Sequence, residues 1–318
     1  MFNTSISKML NIKYPILQGG MAWVATHELA AAVSNAGGLG IIAAGNLPGD
    51  IVREEIRKLK KLTDKPFGVN IMLMSPYAED IVGIVCDEGV PVITTGAGNP
   101  GKYIGKLKNH NVKIIPVVPT VSLARRLERS GASALIVEGT EAGGHIGEIT
   151  TMALIPQVVD AVKIPVIAAG GIADGRGFLA ALALGAEGIQ MGTRFVCSKE
   201  ANIHEKFKEE IVKAKDRSTL VAGRSTGHPI RILKNKFSKE LTELEKTNRD
   251  LDELTHFTEG RLKLAIKKGD TINGSLMAGQ ISGLIDGIES CKDIIDSIVN
   301  TGINRLGELS SLKGGDNR

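Results

Sequence analysis

Two glycine-bearing turns are the strongest chemical signal in the sequence: Ala168-Ala169-Gly170-Gly171-Ile172 and Gln190-Met191-Gly192-Thr193. Each closes a short apolar run. Glycine lets backbone N–H groups approach a ligand closely, and a helix starting just beyond aims its own free N–H groups and dipole at the same point. With the Thr193 hydroxyl added, this is donor chemistry for a phosphate. Either turn alone is an ordinary strand exit, but two on consecutive strands make a phosphate cradle. The cradle alone does not choose between sugar phosphates, nucleotides and nucleotide-like cofactors.

A second constellation is Glu138-Gly139-Thr140-Glu141-Ala142-Gly143-Gly144-His145. Its glycines give a loop able to wrap a flat ring, with Gly144 next to the histidine. Histidine is the side chain best suited to proton transfer near neutral pH. A lone histidine is commonly structural; His145 stands out by its glycine-rich loop, a setting that the other five histidines lack. A third group is Gln18-Gly19-Gly20-Met21-Ala22-Trp23, where Gly20 and Met21 could lie along a ligand edge. Trp23 reads as rim packing before ligand stacking. Asn70 is a polar residue in the apolar run Phe67–Leu73; it needs a buried partner, and its amide suits a pyrimidine-like ring edge. Met72 and Met74 read as core filler. Thr94–Gly98 and Ser275–Gln280, the latter with Met277, Gly279 and Gln280, could complete the rim.

The elements that must position these residues are short apolar runs alternating with amphipathic stretches. Strands are expected at Tyr14–Gln18, Leu39–Ala44, Phe67–Leu73, Val90–Thr95, Lys113–Val118, Ala134–Glu138, Pro165–Ala169 and Gly188–Met191. Their near-continuous apolarity suits a buried parallel sheet. Helices are expected between them, many closing at a glycine where a C-cap wants positive φ. Eight βα units fit a (β/α)8 TIM barrel better than an open doubly wound sheet. All the chemical groups then fall at the C-terminal ends of strands.

The pattern changes after Phe195. Residues 198–270 are charged and poor in strand signals, with an amphipathic stripe through Phe237, Leu241, Leu244, Leu251 and Leu254. The expected organisation is an eight-stranded barrel over 1–197, a mainly helical insertion over 198–270 between the eighth strand and the eighth helix, and barrel completion over 271–318. Loops at this end face the site, so the insertion reads as a lid or substrate wall. The eighth helix is expected at Ile288–Asn300.

Composition narrows the function classes. The 318 residues are 42% hydrophobic with a net charge of +4, enough for a large core and too little charge to argue for nucleic acid. Cys86, Cys197 and Cys291 stand far apart with no metal-ligand spacing, so they read as reduced structural thiols and no metal is expected. With neither a signal peptide nor a ~20-residue apolar span, the expectation is a cytoplasmic protein that does not enter membranes.

The series QGGMAWV, KPFGVNIMLMSP, TTGAGNP, VEGTEAGGHIG, PVIAAGGIADG, GIQMGTRF and GSLMAGQ resembles the nitronate monooxygenase and enoyl reductase superfamily. Within it, the sequence is most similar to the FMN-dependent enoyl-[acyl-carrier-protein] reductases of the FabK type, over about residues 7–283. The resemblance implies reduction of trans-2-enoyl thioesters on acyl carrier protein, with FMN as cofactor and NADH as co-substrate, in type II fatty-acid synthesis. It also implies a homodimer and stimulation by a monovalent cation. It puts the phosphate on Gly170, Gly171, Gly192 and Thr193, with Ala169, Gln190 and Met191 alongside. Ring contacts fall on Gly20, Met21, Asn70, Glu138 and Gly144, with Met277, Gly279 and Gln280, and the active-site histidine is His145. Two other readings stay open: a nitronate monooxygenase using FMN and oxygen, and a phosphate-ligand binding barrel without turnover.

Overall fold

A computed structural model describes residues 2–247 and 251–312; residues 248–250 of the expected insertion and 313–318 of the expected closing segment lie outside the described residues. Eight parallel strands make the barrel: β1 (Ile16–Gln18), β2 (Gly40–Gly45), β3 (Phe67–Met72), β4 (Val92–Gly96), β5 (Lys113–Val118), β6 (Leu135–Glu138), and, after the two-residue β7 (Gly144–His145), β8 (Val166–Ala169) and β9 (Gly188–Met191). The order β1-β9-β8-β6-β5-β4-β3-β2 runs round the barrel, and a parallel bridge from Leu17 to Leu39 joins its two ends. That seam is thin, and buried Gln18 reinforces it: its Oε1 accepts from Ile41 N (3.1 Å) and its Nε2 donates to Ile41 O (3.1 Å). The fold is the expected (β/α)8 barrel.

Strand side chains are buried on both faces, as the continuous apolar runs require. One cluster combines Leu17, Leu39, Ile41, Val92, Ile115, Ile136 and Ile167 from the strands with Ile6 and Leu10 from the helix Ser5–Leu10. That helix stoppers the N-terminal end. Its start is fixed by a capping box, in which Ser7 N donates to Thr4 Oγ1 (3.3 Å) and Thr4 N to Ser7 Oγ (3.0 Å). The opposite mouth is left for chemistry.

Four sequence expectations need correction. The last helix runs over Cys291–Ser311, well beyond Asn300. Gly302 does not end it, because it marks a close crossing: a Cβ on Gly175 would lie 2.3 Å from Gly302 N. Met74 is 72% exposed, in the loop after β3, and is no core filler. Finally, the segment after β9 carries, besides helices Glu205–Val212, Lys236–Thr247, Leu251–Thr258 and Arg261–Lys268, a hairpin of β10 (Thr219–Ala222) and β11 (Ile230–Leu233). The hairpin forms a second sheet, β10-β11-β7, whose third strand is the His145 loop. Phe237, Leu241 and Leu254 share a small core with Ile230 and Ile232, and Leu244 packs against it. Leu251, expected in the same stripe, is exposed.

Candidate active site

The exits of β1, β3, β6, β8 and β9 meet the segment 275–280 at the open mouth. At β1, Gly20 lies against Asn70 of β3 so closely that a Cβ on Gly20 would stand 2.3 Å from Asn70 Cβ. Asn70 finds the partner it needs on β4, donating through Nδ2 to Thr94 Oγ1 (2.9 Å). Met21 crosses to β9: a Cβ on Gly192 would meet its Sδ at 3.3 Å. Gln190 and Met191 lie in register with Leu17 and Gln18.

The loop from β6 is packed from all sides. Gly139 N donates to Ala169 O (3.0 Å), and Glu138 is in register with Ala169. The Glu141 carboxylate accepts from Thr151 N (2.9 and 3.0 Å) and from Thr151 Oγ1 (2.9 Å), fixing the start of the next helix. A Cβ on Gly143 would stand 2.6 Å from Gly279 N, and one on Gly144 would meet Met277 Sδ at 3.5 Å. Gln280 N donates to Glu141 O (2.9 Å), and Gly279 N to Thr193 Oγ1 (2.9 Å). The structure thus brings all the sequence-derived site residues to one end of the barrel.

The donor set at β8 and β9 fits a phosphate. Gly170 and Gly171 have φ of +85° and +74°, a conformation that turns successive N–H groups toward one side. Gly192 opens the short helix Thr193–Val196. Among the described residues, the N–H groups of Gly171, Gly192 and Thr193 meet no acceptor. Thr193 Oγ1 already accepts a bond, so its hydrogen is free to be donated.

Two titratable groups among the sequence-derived site residues are perturbed. Burial raises the Glu138 carboxyl to about 7, and among the described residues no side chain hydrogen-bonds it. It is therefore part acid at neutral pH, able to donate to a ring-edge acceptor, which a carboxylate cannot do. His145 presents an exposed side chain; even so, desolvation, followed by the charge of His228, holds its imidazole below the ordinary value. His228, passed over in the sequence, sits in the turn before β11. Arg231 was missed as well; its signal is one charged residue in the apolar run Ile230-Arg231-Ile232-Leu233. Trp23 keeps 38% of its surface, at φ +66°, with Lys263 Nζ 4.9 Å from its ring centre.

Other features lie elsewhere. A cavity of about 540 Å³ opens between the helix His27–Asn35 and residues 199–208, with buried Lys208 in its wall. A further trio, His27, Glu28 and Glu55, offers ligand-type atoms within 4.8 Å of one another. Cys86, Cys197 and Cys291 are free and buried. No described helix is long and apolar enough to cross a membrane.

Comparison with known proteins gives the family and the fold. The family described as nitronate monooxygenase matches residues 3–301. FabK from Thermotoga maritima has a solved structure 51% identical to this chain, with a TM-score of 0.96, covering 98% of this chain and 100% of that one. Among curated proteins, an octahydro-indene-carboxyl-CoA dehydrogenase from Rhodococcus jostii is 34% identical, covering 98% of each chain. A probable nitronate monooxygenase from Staphylococcus saprophyticus is 36% identical, covering 93% of this chain and 97% of that protein.

Proposed function

The chain belongs to the nitronate monooxygenase family, and from that premise we propose that it is an FMN-dependent enoyl-[acyl-carrier-protein] reductase drawing on NADH. The observation that carries this reading is the 51% identity to FabK along nearly the whole chain, against 34–36% to the curated relatives. The names of the relatives, monooxygenase and dehydrogenase, already place the chain among oxidoreductases. The proposed substrate is a trans-2-enoyl thioester presented by acyl carrier protein to a homodimeric, cation-stimulated enzyme.

When bound, FMN would supply two-electron transfer between nicotinamide and substrate. The chain's own residues bind, orient and handle protons. Gly170, Gly171, Gly192 and Thr193 would hold the phosphate. Gly20, Met21, Asn70, Glu138 and Gly144 would line the ring, with Met277, Gly279 and Gln280 closing the far side. Saturating the enoyl double bond requires a proton at the α carbon. His145 is placed to donate it or to orient its donor. Because its imidazole is held below the usual value, it is mostly neutral at pH 7, and the acid form would be its minor imidazolium population, reloaded from solvent after each proton is given.

The test is anaerobic. NADH should bleach the yellow protein, and crotonyl or longer enoyl thioesters should restore the colour. If nitronates consume oxygen quickly while enoyl thioesters leave the bleached protein unchanged, the monooxygenase reading replaces this one. A colourless protein that binds only phosphate ligands would leave a binding barrel.

A further inference from the structure

The hairpin β10–β11 belongs to the segment that follows the barrel's last strand, yet its main chain is part of the His145 loop. Ile230 is paired with His145 and Arg231 with Gly144, and Ile146 N donates to Pro229 O (3.1 Å). Arg231 is only 7% exposed. Its Nε donates to Thr140 O (3.0 Å) and its Nη1 to Thr219 Oγ1 (3.2 Å). Both acceptors are neutral, and among the described residues no carboxylate lies within ion-pair distance of it.

A guanidinium taken out of water without a carboxylate partner is costly. Burial accordingly depresses its pKa, and the charge of Glu141 only partly opposes this. An apolar side chain would fill the same space more cheaply, so the cation calls for a reason. Its bonds supply one. Through Nε it fixes the carbonyl of Thr140, at the start of the loop, and through its backbone register it fixes Gly144, at the end. Between them only Gly143 lacks a side chain, and Glu141 is already held by Thr151 and by Gln280 N, so the loop's middle is pinned and its ends are what the hairpin adds.

We propose that Arg231 is a positioning residue: its side chain ties the start of the 139–145 loop to the hairpin whose main chain already holds the loop's end, and so sets the placement of His145 over the mouth. The insertion thereby fixes the geometry of the proton-handling histidine, while the barrel itself holds the cofactor. The inference rests on the proposed role of His145 in the enoyl step.

The test compares Arg231→Met and Arg231→Lys with wild type. In Arg231→Met, bleaching by NADH should stay within about twofold of wild type, and recolouring by an enoyl thioester should slow by about 10–100-fold, the scale of a misplacement near 1 Å. The His145 ring signal, followed by NMR in the protein without substrate, should titrate closer to the ordinary histidine value, because a released loop moves the ring off its neighbours and away from His228. Arg231→Lys keeps one donor for Thr140 O and should recover part of both effects; if Arg231→Met does not fold, the lysine variant alone must show the same split. A His145 titration and a recolouring rate both unchanged overturn the proposal. So does parallel loss of both half-reactions with FMN, which marks a purely structural arginine. If wild type itself never recolours with enoyl thioesters, the functional reading fails, and the NMR titration still decides whether Arg231 places His145.

Discussion

The barrel and the segment after its last strand build their parts of the mouth from different material. The barrel offers mostly backbone: glycine N–H groups at Gly171 and Gly192, with strands buried on both faces beneath them. The later segment offers a hairpin and a buried cation, supported by a small core of Ala222, Ile230, Ile232, Phe237, Leu241 and Leu254 that is separate from the barrel clusters. Backbone donors on a large core give a rigid cradle whose shape does not depend on one side chain. The rest of the segment, through Phe207, Ile211, Leu233, Ala265 and Ile266, packs into the barrel's own cluster, so only the part on the small core is free of it. On the proposed function, the barrel half would hold the cofactor and the part resting on the small core would meet the substrate.

The largest effect should come from breaking the barrel half. Gly171→Asp puts a carboxylate on a cradle residue, at a backbone φ of +74° and with its Cβ 3.6 Å from the Glu141 carboxylate, so it adds negative charge to the cradle wall. Two like charges about 4 Å apart repel by about 4 kcal/mol at an effective dielectric of about 20, roughly a thousandfold in affinity. The variant should purify folded and colourless. Circular dichroism and the flavin absorbance check this, and a yellow protein would show that the phosphate lies elsewhere. Acid release of the wild-type chromophore should give FMN by mass, not FAD.

Next in size is the junction of the two halves. His145→Ala should keep FMN and bleaching by NADH but slow recolouring by enoyl thioesters by about 10²–10⁴-fold, the usual contribution of a general acid. Stopped-flow traces separate the halves. Equal slowing of both, with FMN retained, would make His145 a wall of the pocket instead of a proton donor. Because the imidazole is held below its ordinary value, the wild-type recolouring rate should rise as pH falls below neutrality.

Glu138 gives a smaller effect, read as stability. Its carboxyl is raised from 4.5 to about 7 in the folded protein. The native state therefore holds this proton more tightly than the unfolded chain. The associated stability is fully present below about 4.5, is lost as pH rises toward about 7, and is gone above it. At about 1.4 kcal/mol per unit the loss reaches at most about 3.5 kcal/mol. Glu138→Gln in the FMN-free protein should remove that slope and gain stability at pH 8 relative to wild type. Denaturant melts at pH 5 and pH 8 measure it; an unchanged difference between the two pH values would show that Glu138 is solvated.

The sequence was legible where one kind of force dominates. Burial on both faces makes barrel strands continuously apolar, so all eight could be read, and the positions at their C-terminal ends followed. Close backbone approaches, such as Gly20 on Asn70 and Gly143 on Gly279, demand glycine, so they stood out as motifs. The hairpin was hidden because Thr219–Ala222 is only partly buried and is surrounded by charged residues. Arg231 was hidden because a single buried cation looks like any surface charge until its partners, Thr140 and Thr219, are brought to it. Neither partner is near in sequence. Likewise, Gly302 resembles a helix stop until the crossing with Gly175 is seen.

The smallest expected effect separates the halves directly. If the part on the small core is adjustable, its amides should open more readily than the barrel's, since a small core lowers the free energy of local opening. Helix Lys236–Thr247 and strands β10 and β11 depend on that core. FMN alone should slow hydrogen exchange at the turns after β8 and β9 and leave β10 and β11 nearly unchanged. FMN with a non-reactive acyl thioester should then slow β11 and the His145 loop together by a few-fold, because they are strands of one sheet and cover elements tighten when substrate arrives. The coupling is the discriminating point. Protection that rises in the hairpin but not in Gly144–His145 would mean that the two move independently, despite the pairing of Ile230 with His145. Protection that rises in neither, with saturation verified, would make the segment an appendage and leave the barrel to do all the positioning.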